Sequence, residues 1–172
     1  MQRIIGIDPG SRFTGIGIID TQNQSIQHVH HATIKCGDGD FPERLKTIFV
    51  GVNDLIQQYQ PHEMAIETVF MSKNANAAIK LGQARGAAIC ATVVNDIVVH
   101  EYAPKAIKQA VVGKGGAEKT QVQYMVKLLL NMTMKVQNDA ADGLAVAICH
   151  ANNRWAQQRL VNNNTSNWRN FK

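Results

Sequence analysis

Residues 3–20 read RIIGIDPGSRFTGIGIID, and this stretch decides the architecture of the chain. An apolar run ends at Asp8, a Pro-Gly turn follows, and a second apolar run begins at Phe13. Because the connection is only a few residues long, residues 3–8 and 13–19 are predicted to form an antiparallel pair of strands. Asp8 therefore stands at the tip of a buried strand, where a carboxylate is costly unless it is paired or binds a metal.

The rest of the chain alternates between strand and helix patterns. Strands are predicted over 25–35, 63–67 and 96–104, and helices over 42–59, 75–94, 104–111, 118–130 and 139–153. Three strands followed by alternating helices and strands, with helices at the end, predict an α/β fold with a five-stranded mixed sheet flanked by helices. Residues 1–153 are expected to form one domain, followed by a polar, flexible C-terminal tail over 154–172.

The composition is that of an ordinary globular protein of 172 residues, with 45% hydrophobic and 18% charged residues. No apolar run reaches the roughly 18 residues needed to cross a bilayer. No secretory signal pattern precedes the first strand, so a cytoplasmic location without a membrane partner is expected. The three cysteines, Cys36, Cys90 and Cys149, are far apart and lack a metal-binding spacing, which favours reduced structural thiols.

Positive charge is concentrated in one part of the chain. Residues 102–136 contain six lysines and one glutamate, which accounts for the net charge of +5 of the whole chain. Such segregation indicates a polyanionic partner, for example a nucleic acid. A solvated helical face would carry the same pattern, so the charge alone leaves that alternative open.

Four acids stand where the predicted fold could bring them together. Asp8 and Glu67 each end a strand, while Asp139 and Asp142 share one face at the start of the last helix. If the strand ends meet that helix start, the four carboxylates cannot all stay ionised without a cation. Oxygen ligands without clustered Cys or His select Mg²⁺ or Mn²⁺. Two such ions would activate a water and stabilise the leaving oxygen of a phosphodiester.

Each acid also has a structural interpretation. Asp8 begins an Asp-Pro-Gly turn sequence, and Glu67 could pair with a lysine at the sheet edge. Asp139 is favoured at a helix N-terminus by the helix dipole. Asp142 lies inside an otherwise apolar helix and is the hardest to explain structurally. The structural interpretation therefore needs a separate reason for each of the four.

Four blocks of the sequence resemble one known family. They are GIDPGSRFTGIGII (6–19), AIETVFMSKNANAAIKLGQARG (65–86), VVGKGGAEKTQVQYMV (111–126) and DAADGLAVAICHA (139–151). In this order they resemble the RuvC family of bacterial Holliday junction resolvases, with similarity from about residue 3 to 151. The resemblance implies a ribonuclease H-like fold and a homodimer that cuts two symmetric strands of a four-way DNA junction. It also implies Mg²⁺ dependence, with Mn²⁺ as a substitute, two ions per active site, 5′-phosphate products, and partnership with the RuvA–RuvB branch-migration complex.

The resemblance also assigns roles to individual positions. The implied catalytic and metal-binding acids are Asp8, Glu67, Asp139 and Asp142, the four that the spacing had already selected. Phe70, with Met71 beside it, matches a family aromatic that stacks on an unpaired junction base, and stacking contributes about 1–3 kcal/mol. Lys108 and Lys119 match basic residues near the active site and the DNA. Lys114, in the neighbouring loop, is a predicted phosphate contact.

Two positions depart from the family pattern. Thr68 stands where an amide side chain is expected, and Gly143 stands where Ala is expected. Because Gly inside a helix costs up to about 1 kcal/mol relative to Ala, Gly143 is expected to weaken the helix locally. Neither departure removes a predicted ligand.

Three other functions share some of these features. An ATP-binding protein can also open with an acid and glycine after a first strand, although that architecture needs two such subdomains. Another nuclease of the same fold would act on RNA–DNA hybrids or linear DNA. A non-catalytic junction binder is the third alternative, and the intact set of acids argues against it.

Two groups of histidines have no predicted function. In HVHH (28–31), His28 and His30 are expected to share a strand face without a third metal ligand, which favours surface residues. His150 follows Asp142 by two helical turns and is expected near the buried edge of the last helix.

Overall fold

The computed structural model describes residues 1–69 and 74–167, with side chains as far as residue 160. The strands are β1 (Gln2–Asp8), β2 (Phe13–Gln22), β3 (Ser25–Lys35), β4 (Glu63–Glu67) and β5 (Val98–Tyr102). The helices are α1 (Phe41–Tyr59), α2 (Ala75–Val93), α3 (Pro104–Val112), α4 (Lys119–Leu129) and α5 (Asn138–Asn167). Every strand and helix predicted from the sequence is present in the predicted order.

The five strands form one sheet in the order β3-β2-β1-β4-β5. β1 pairs antiparallel with β2, and β2 pairs antiparallel with β3. β4 lies parallel to β1 on one side and parallel to β5 on the other. The five-stranded mixed sheet is therefore confirmed, and its parallel half places the carboxyl ends of β1 and β4 side by side.

Helices cover both faces of the sheet because successive strand residues point to opposite faces. On one face, Ile4 of β1 and Ala65 of β4 pack with α3, α4 and α5. On the other face, Ile5, Ile7 and Met64 pack with α1 and α2. Since both faces are buried, β1 reads as a continuous apolar run, and a charged residue is tolerated only at its end.

Four glycines allow α5 to lie directly on the backbone of β1 and β2. A Cβ on Gly15 would stand 1.8 Å from the carbonyl oxygen of Asp139, and one on Gly17 would stand 2.4 Å from the Leu144 nitrogen. From the helix side, a Cβ on Gly143 would stand 2.7 Å from the Ile16 nitrogen. Gly143 therefore also has a packing role that the sequence did not indicate, because its missing Cβ lets the helix contact the sheet. Gly6, which pairs with Gly17, completes the set.

The fifth strand and the last helix differ most from their predicted bounds. The fifth strand was predicted over 96–104, but Asp96 has a left-handed φ of 56°, and β5 begins at Val98. The last helix, predicted to end at residue 153, continues to Asn167. Trp155 packs against the core cluster under α5, and Arg154 contacts Glu63, so the helix keeps tertiary contacts beyond that point. The flexibility predicted for residues 154–172 stays a prediction.

All three cysteines are free, as their spacing indicated. Within the described residues, none of the helices combines the length and the apolar character that a membrane-crossing segment needs.

Candidate active site

The carboxyl ends of β1 and β4 bring two of the predicted acids together. Ile7 pairs with Ile66 in the parallel ladder, so Asp8 and Glu67 are the next residues on adjacent strands. Both carboxylates lie at the same edge of the sheet, which is where ligands bind in sheets of this type.

The start of α5 brings the other two acids to the same edge. Gly15 lies directly opposite Asp8 in the β1–β2 ladder. Because Gly15 has no side chain, the backbone of Asp139 packs directly against it. Asp142 follows one helical turn later and lines a cleft of about 260 Å³ together with Asp8 and Glu67. Asp139 is close enough to influence the pKa of both Asp8 and Asp142. The structure therefore gathers all four predicted acids around one cleft.

Burial and mutual repulsion raise the pKa of three of these carboxyl groups. Desolvation, followed by the negative charges of Glu67 and Asp142, raises the pKa of Asp8 to about 7. Desolvation and the charge of Asp142 raise the pKa of Glu67 to about 6. Burial also raises the pKa of Asp142, although Lys119 opposes that effect. The cleft thus holds more negative charge than it can stabilise alone, which is typical of a cation site.

Two lysines partly compensate this charge. Lys119 Nζ lies 2.5 Å from Asp142 Oδ2, and Lys119 and Lys108 both line the cleft. Burial by itself would lower the pKa of Lys119, but its hydrogen bond to Asp142 and the nearby acids raise it. The charge of Lys108 acts on Glu67 in the same compensating sense. The ammonium group of Lys119 therefore occupies a position among the acids that suits a cation.

The acid oxygens are close to one another without being at ligand spacing. In the described part of the chain, the three ligand atoms found within 4.8 Å of one another belong to Glu63, His100 and His150. Among the described residues, no three of the four acids have ligand atoms within 4.8 Å of one another. A metal held by these acids would therefore require their side chains to rotate closer together.

The predicted DNA contacts fall into three groups. Lys108 and Lys119 line the cleft itself. Lys114 is exposed in the loop between α3 and α4, outside the lining of the cleft. Phe70 and Met71 lie outside the described residues. The roles predicted for these side chains in binding DNA stay predictions.

Several residues that shape the cleft were missed by the sequence analysis. Pro104 and Ile107 of α3, Val122 of α4 and Ala145 of α5 form its apolar walls. The Thr68 backbone N–H donates to the Tyr102 carbonyl at 2.9 Å and its hydroxyl donates to the same oxygen at 3.4 Å. Thr68 thereby fixes the end of β4 beside Glu67. The signal for this role in the sequence was the β-branched side chain of Thr68 with its hydroxyl group. Its partner, Tyr102, is distant in the sequence and could not be identified from it.

The histidines differ from the prediction in one detail. A bulge in the β2–β3 ladder at Ile18/Ile19 shifts the register, and His28 Nε2 lies 2.8 Å from His31 Nδ1 rather than beside His30. His150 is 1% exposed, so it is fully buried rather than at an edge.

Comparisons with known proteins give a consistent result. The family model described as crossover junction endodeoxyribonuclease RuvC matches residues 4–150. The RuvC of Xanthomonas axonopodis pv. citri (strain 306) is 58% identical over 170 residues, which cover 98% of each chain. The RuvC of Dichelobacter nodosus (strain VCS1703A) is 58% identical over 149 residues, covering 87% of this chain and 85% of the relative.

Solved structures agree with the fold. Thermus thermophilus RuvC in complex with Holliday junction substrate has a TM-score of 0.82 at 29% identity, covering 88% of this chain and 93% of that one. The yeast mitochondrial Holliday junction resolvase Ydc2 has a TM-score of 0.66 at 12% identity, covering 88% of this chain and 78% of that one, and it bears on the fold only. The ribonuclease H-like fold is thereby confirmed.

Proposed function

Because the chain belongs to the RuvC family of crossover junction endodeoxyribonucleases, we propose that it resolves Holliday junctions with a divalent-cation site formed by its four clustered acids. One observation carries the proposal: the cleft at the ends of β1 and β4 is lined by Asp8, Glu67 and Asp142, with Asp139 beside them. The nuclease activity follows from membership of this family, which is described as crossover junction endodeoxyribonuclease. The four-way junction as substrate is inferred from the RuvC of Thermus thermophilus in complex with such a junction.

The donor set of the cleft fits Mg²⁺, with Mn²⁺ as a substitute. Its potential ligands are carboxylate oxygens, which hard divalent cations prefer. The raised pKa values of Asp8 and Glu67 reflect burial first and the neighbouring negative charges second, and a bound cation would stabilise both ionised carboxylates. Asp8, Glu67, Asp139 and Asp142 are the residues that would hold up to two ions. When bound, such ions supply an activated water and charge stabilisation at the leaving oxygen.

The lysines have a separate role in this proposal. With a cation bound to Asp142, the ammonium group of Lys119 would be available to the phosphate of the substrate. Lys108, which also lines the cleft, can hold the same phosphate by charge. Lys114 extends this basic surface along the backbone of the DNA. Phe70, with Met71, is proposed to stack on a base unpaired at the junction.

The wider context of the reaction follows from the same family membership. Two symmetric cuts require two active sites, so the proposed enzyme is a homodimer. Each cut is proposed to leave a 5′-phosphate and a 3′-hydroxyl, so that the products can be sealed. Delivery to the junction by the RuvA–RuvB complex and a cytoplasmic location are part of the proposal. Recombination and DNA repair are the processes it would serve.

A comparison of DNA substrates tests the proposed function. With Mg²⁺, the protein is expected to cut a synthetic four-way junction at symmetric positions, while linear duplex of the same sequence and an RNA–DNA hybrid stay largely intact. The nicked products are expected to be sealed by DNA ligase without prior phosphorylation, because they carry 5′-phosphates. Equal cutting of hybrid or linear duplex would favour a different nuclease of the same fold. Binding of the junction without any cutting would favour a non-catalytic binder.

The affinity for Mn²⁺ is expected to rise between about pH 6 and pH 8. Burial raises the pKa of Asp8 to about 7 and that of Glu67 to about 6, so both carry protons at the lower pH. Since a cation binds the deprotonated forms, its binding must release those protons. Calorimetry in two buffers of different ionisation enthalpy measures the release, which should grow as the pH falls from about 8 to about 6 and vanish by about pH 8.5. An Asp8→Asn variant should release fewer protons, and an affinity independent of pH would contradict the proposed ligands.

A further inference from the structure

A second cluster of potential metal ligands lies at the opposite end of β4 from the acid cleft. Glu63 begins β4 and Glu67 ends it, which separates the two carboxylates by about 13 Å at roughly 3.3 Å per residue. Both side chains point to the face covered by α5, because they are an even number of residues apart. His100 of β5 and His150 of α5 converge on Glu63 from the two neighbouring elements.

The three side chains already face one another with their ligand atoms. His150 Nε2 lies 2.6 Å from Glu63 Oε2, and His100 Nε2 lies 4.0 Å from the same oxygen. All three atoms lie within 4.8 Å of one another. The two imidazole rings are stacked with their centroids 4.4 Å apart. Rotation of the Glu63 carboxylate and of the His100 ring would bring the three ligand atoms to the spacing found around a bound metal.

The surroundings of the cluster hold two of these groups in place. The hydroxyl of Tyr102 lies 2.7 Å from His150 Nδ1, which leaves Nε2 aimed at Glu63. The side-chain amide of Gln2 donates to Glu63 Oε1 at 3.2 Å, which leaves Oε2 for another partner. Metal-bound histidines and carboxylates are commonly oriented by hydrogen bonds of this kind to their second polar atom. His150 is 1% exposed, so its orientation is fixed by the fold.

The chemistry of the cluster differs from that of the acid cleft. Two imidazole nitrogens and one carboxylate suit a borderline transition metal, whereas Mg²⁺ prefers oxygen ligands alone. Zn²⁺ is commonly bound by three protein ligands with a fourth position open to water. The cluster borders an open pocket of about 600 Å³, lined in part by Gln157 and Gln158, from which such a water can approach.

We propose that Glu63, His100 and His150 form a Zn²⁺-binding site that is separate from the nuclease centre. The metal joins β4, β5 and α5, three elements that also position the acid cleft and its walls. Its role is structural, because about 13 Å along β4 separates it from Glu67.

Arg154 is the one described residue that opposes metal binding directly. Its Nη1 atom lies 2.8 Å from Glu63 Oε2, so the guanidinium neutralises the carboxylate in the absence of metal. Zn²⁺ therefore has to displace this ion pair. Arg154 is half-buried near the start of the exposed part of α5, and its long side chain can turn towards solvent. Because Arg154 competes with the metal, its replacement is expected to raise the affinity for Zn²⁺, whereas loss of a ligand is expected to lower it.

The test uses the full chain, freed of metal with a chelator and then titrated with Zn²⁺. Excess Mg²⁺ is present throughout so that the acid cleft does not compete for Zn²⁺. One equivalent is expected to bind by equilibrium dialysis. His100→Ala should weaken Zn²⁺ binding roughly 10-fold or more. Removing a group that is only hydrogen-bonded to a metal ligand already costs about 10-fold in affinity, and removing a ligand costs more. Arg154→Gln should tighten it roughly two- to fivefold, because it removes the competing ion pair.

Two matched controls separate this site from others. His31→Ala removes the other close pair of histidines and should leave Zn²⁺ affinity unchanged. Asp8→Asn alters the acid cleft and should also leave it unchanged. His100 is chosen over the buried His150 because its side chain is 40% exposed, so its replacement leaves folding intact. Co²⁺ substituted for Zn²⁺ should give the intense visible bands of a low-coordinate nitrogen-containing site.

Three results would overturn the proposal. Equal Zn²⁺ affinity of His100→Ala and the unaltered chain would exclude His100 as a ligand. Loss of Zn²⁺ binding in Asp8→Asn would place the ion in the acid cleft. Absence of any Zn²⁺ binding, in Arg154→Gln as well, would leave Glu63 and His150 as a purely hydrogen-bonded network.

Discussion

Replacement of Asp8 by Asn is expected to abolish junction cleavage, leave junction binding intact, and stabilise the metal-free protein at neutral pH. Asp8 ends the central strand β1 and lines the cleft with Glu67 and Asp142. Asn keeps the shape of the side chain but lacks the charge that holds a divalent cation. Since such a cation contributes several kcal/mol to the transition state, cleavage should fall roughly 10³-fold or more.

The stability gain follows from the raised pKa of Asp8. Burial and the neighbouring acids raise that pKa from 3.8 to about 7, so the folded chain binds a proton where the unfolded chain does not. A raised carboxyl pKa makes folding less favourable as the pH rises from the unfolded to the folded value. The penalty is absent below about pH 4 and is largest above about pH 7. At about 1.4 kcal/mol per pH unit it reaches at most about 4 kcal/mol, which Asn removes.

Three measurements on the same variant check this prediction. Gel-based cleavage with Mg²⁺ reports activity, electrophoretic mobility shift without cutting reports binding, and urea unfolding at pH 5 and pH 8 reports stability in a chelator. Asp38→Asn, an exposed loop residue, is the matched control and should behave as the unaltered chain. Loss of binding and of folding together would mean that Asp8 is a structural residue. A stability difference that does not grow with pH would contradict the raised pKa.

The acid cleft could be predicted from the sequence because its geometry follows from local rules. Acids that end adjacent parallel strands meet at one edge, and acids three apart on a helix share one face. Asn74, directly before α2, caps that helix by accepting a hydrogen bond from the Ala77 N–H at 3.1 Å. Helix α1 begins one residue before its predicted start and ends at Tyr59 as predicted. Each of these features depends on residues close together in sequence.

The features that were missed depend on pairs that are distant in sequence. The 2.5 Å ion pair of Lys119 with Asp142 joins the start of α4 to α5. The contact of Glu63 with His150 spans 87 residues, and Glu63 lies outside the four blocks that resemble the family. The extension of α5 was missed because the many Asn residues of this segment have modest helix propensity, and tertiary contacts of Arg154 and Trp155 override it. Periodicity and spacing carry no information about such pairings.

The alternating glycines of TGIGII were the signal available in the sequence for the contact that orders the site. An apolar strand interior normally excludes Gly, so Gly15 and Gly17 indicate a close backbone approach. Their partner could not be identified from the strand alone, since it lies in α5, more than a hundred residues further along the chain. The opposing Gly143 was therefore interpreted as a weak point of the helix rather than as half of the contact.

Replacement of Gly15 by Ala is expected to destabilise the protein and to reduce cleavage strongly. The added Cβ would stand 1.8 Å from the carbonyl oxygen of Asp139 and 2.5 Å from its carbonyl carbon, and backbone atoms cannot rotate out of the way. The start of α5 must then move away from β2. Overpacking of this kind costs about 1–3 kcal/mol or more, which outweighs the gain of up to about 1 kcal/mol from a less flexible unfolded chain.

Cleavage by Gly15→Ala is expected to fall strongly even at a temperature where the variant is still folded, because the displaced start of α5 also moves the acids of the cleft. Gly15 faces Asp8 in the ladder and carries the backbone of Asp139, so a shift of the helix separates the acids of the cleft. A misplacement of about 1 Å near a reacting centre costs on the order of 10²-fold in rate. Gly39→Ala, in a loop where an added Cβ meets nothing within 4 Å, is the matched control. Urea unfolding and cleavage rates of the folded fraction measure both effects. Gly15→Ala with unchanged stability and cleavage would mean that α5 does not rest on β2 as described.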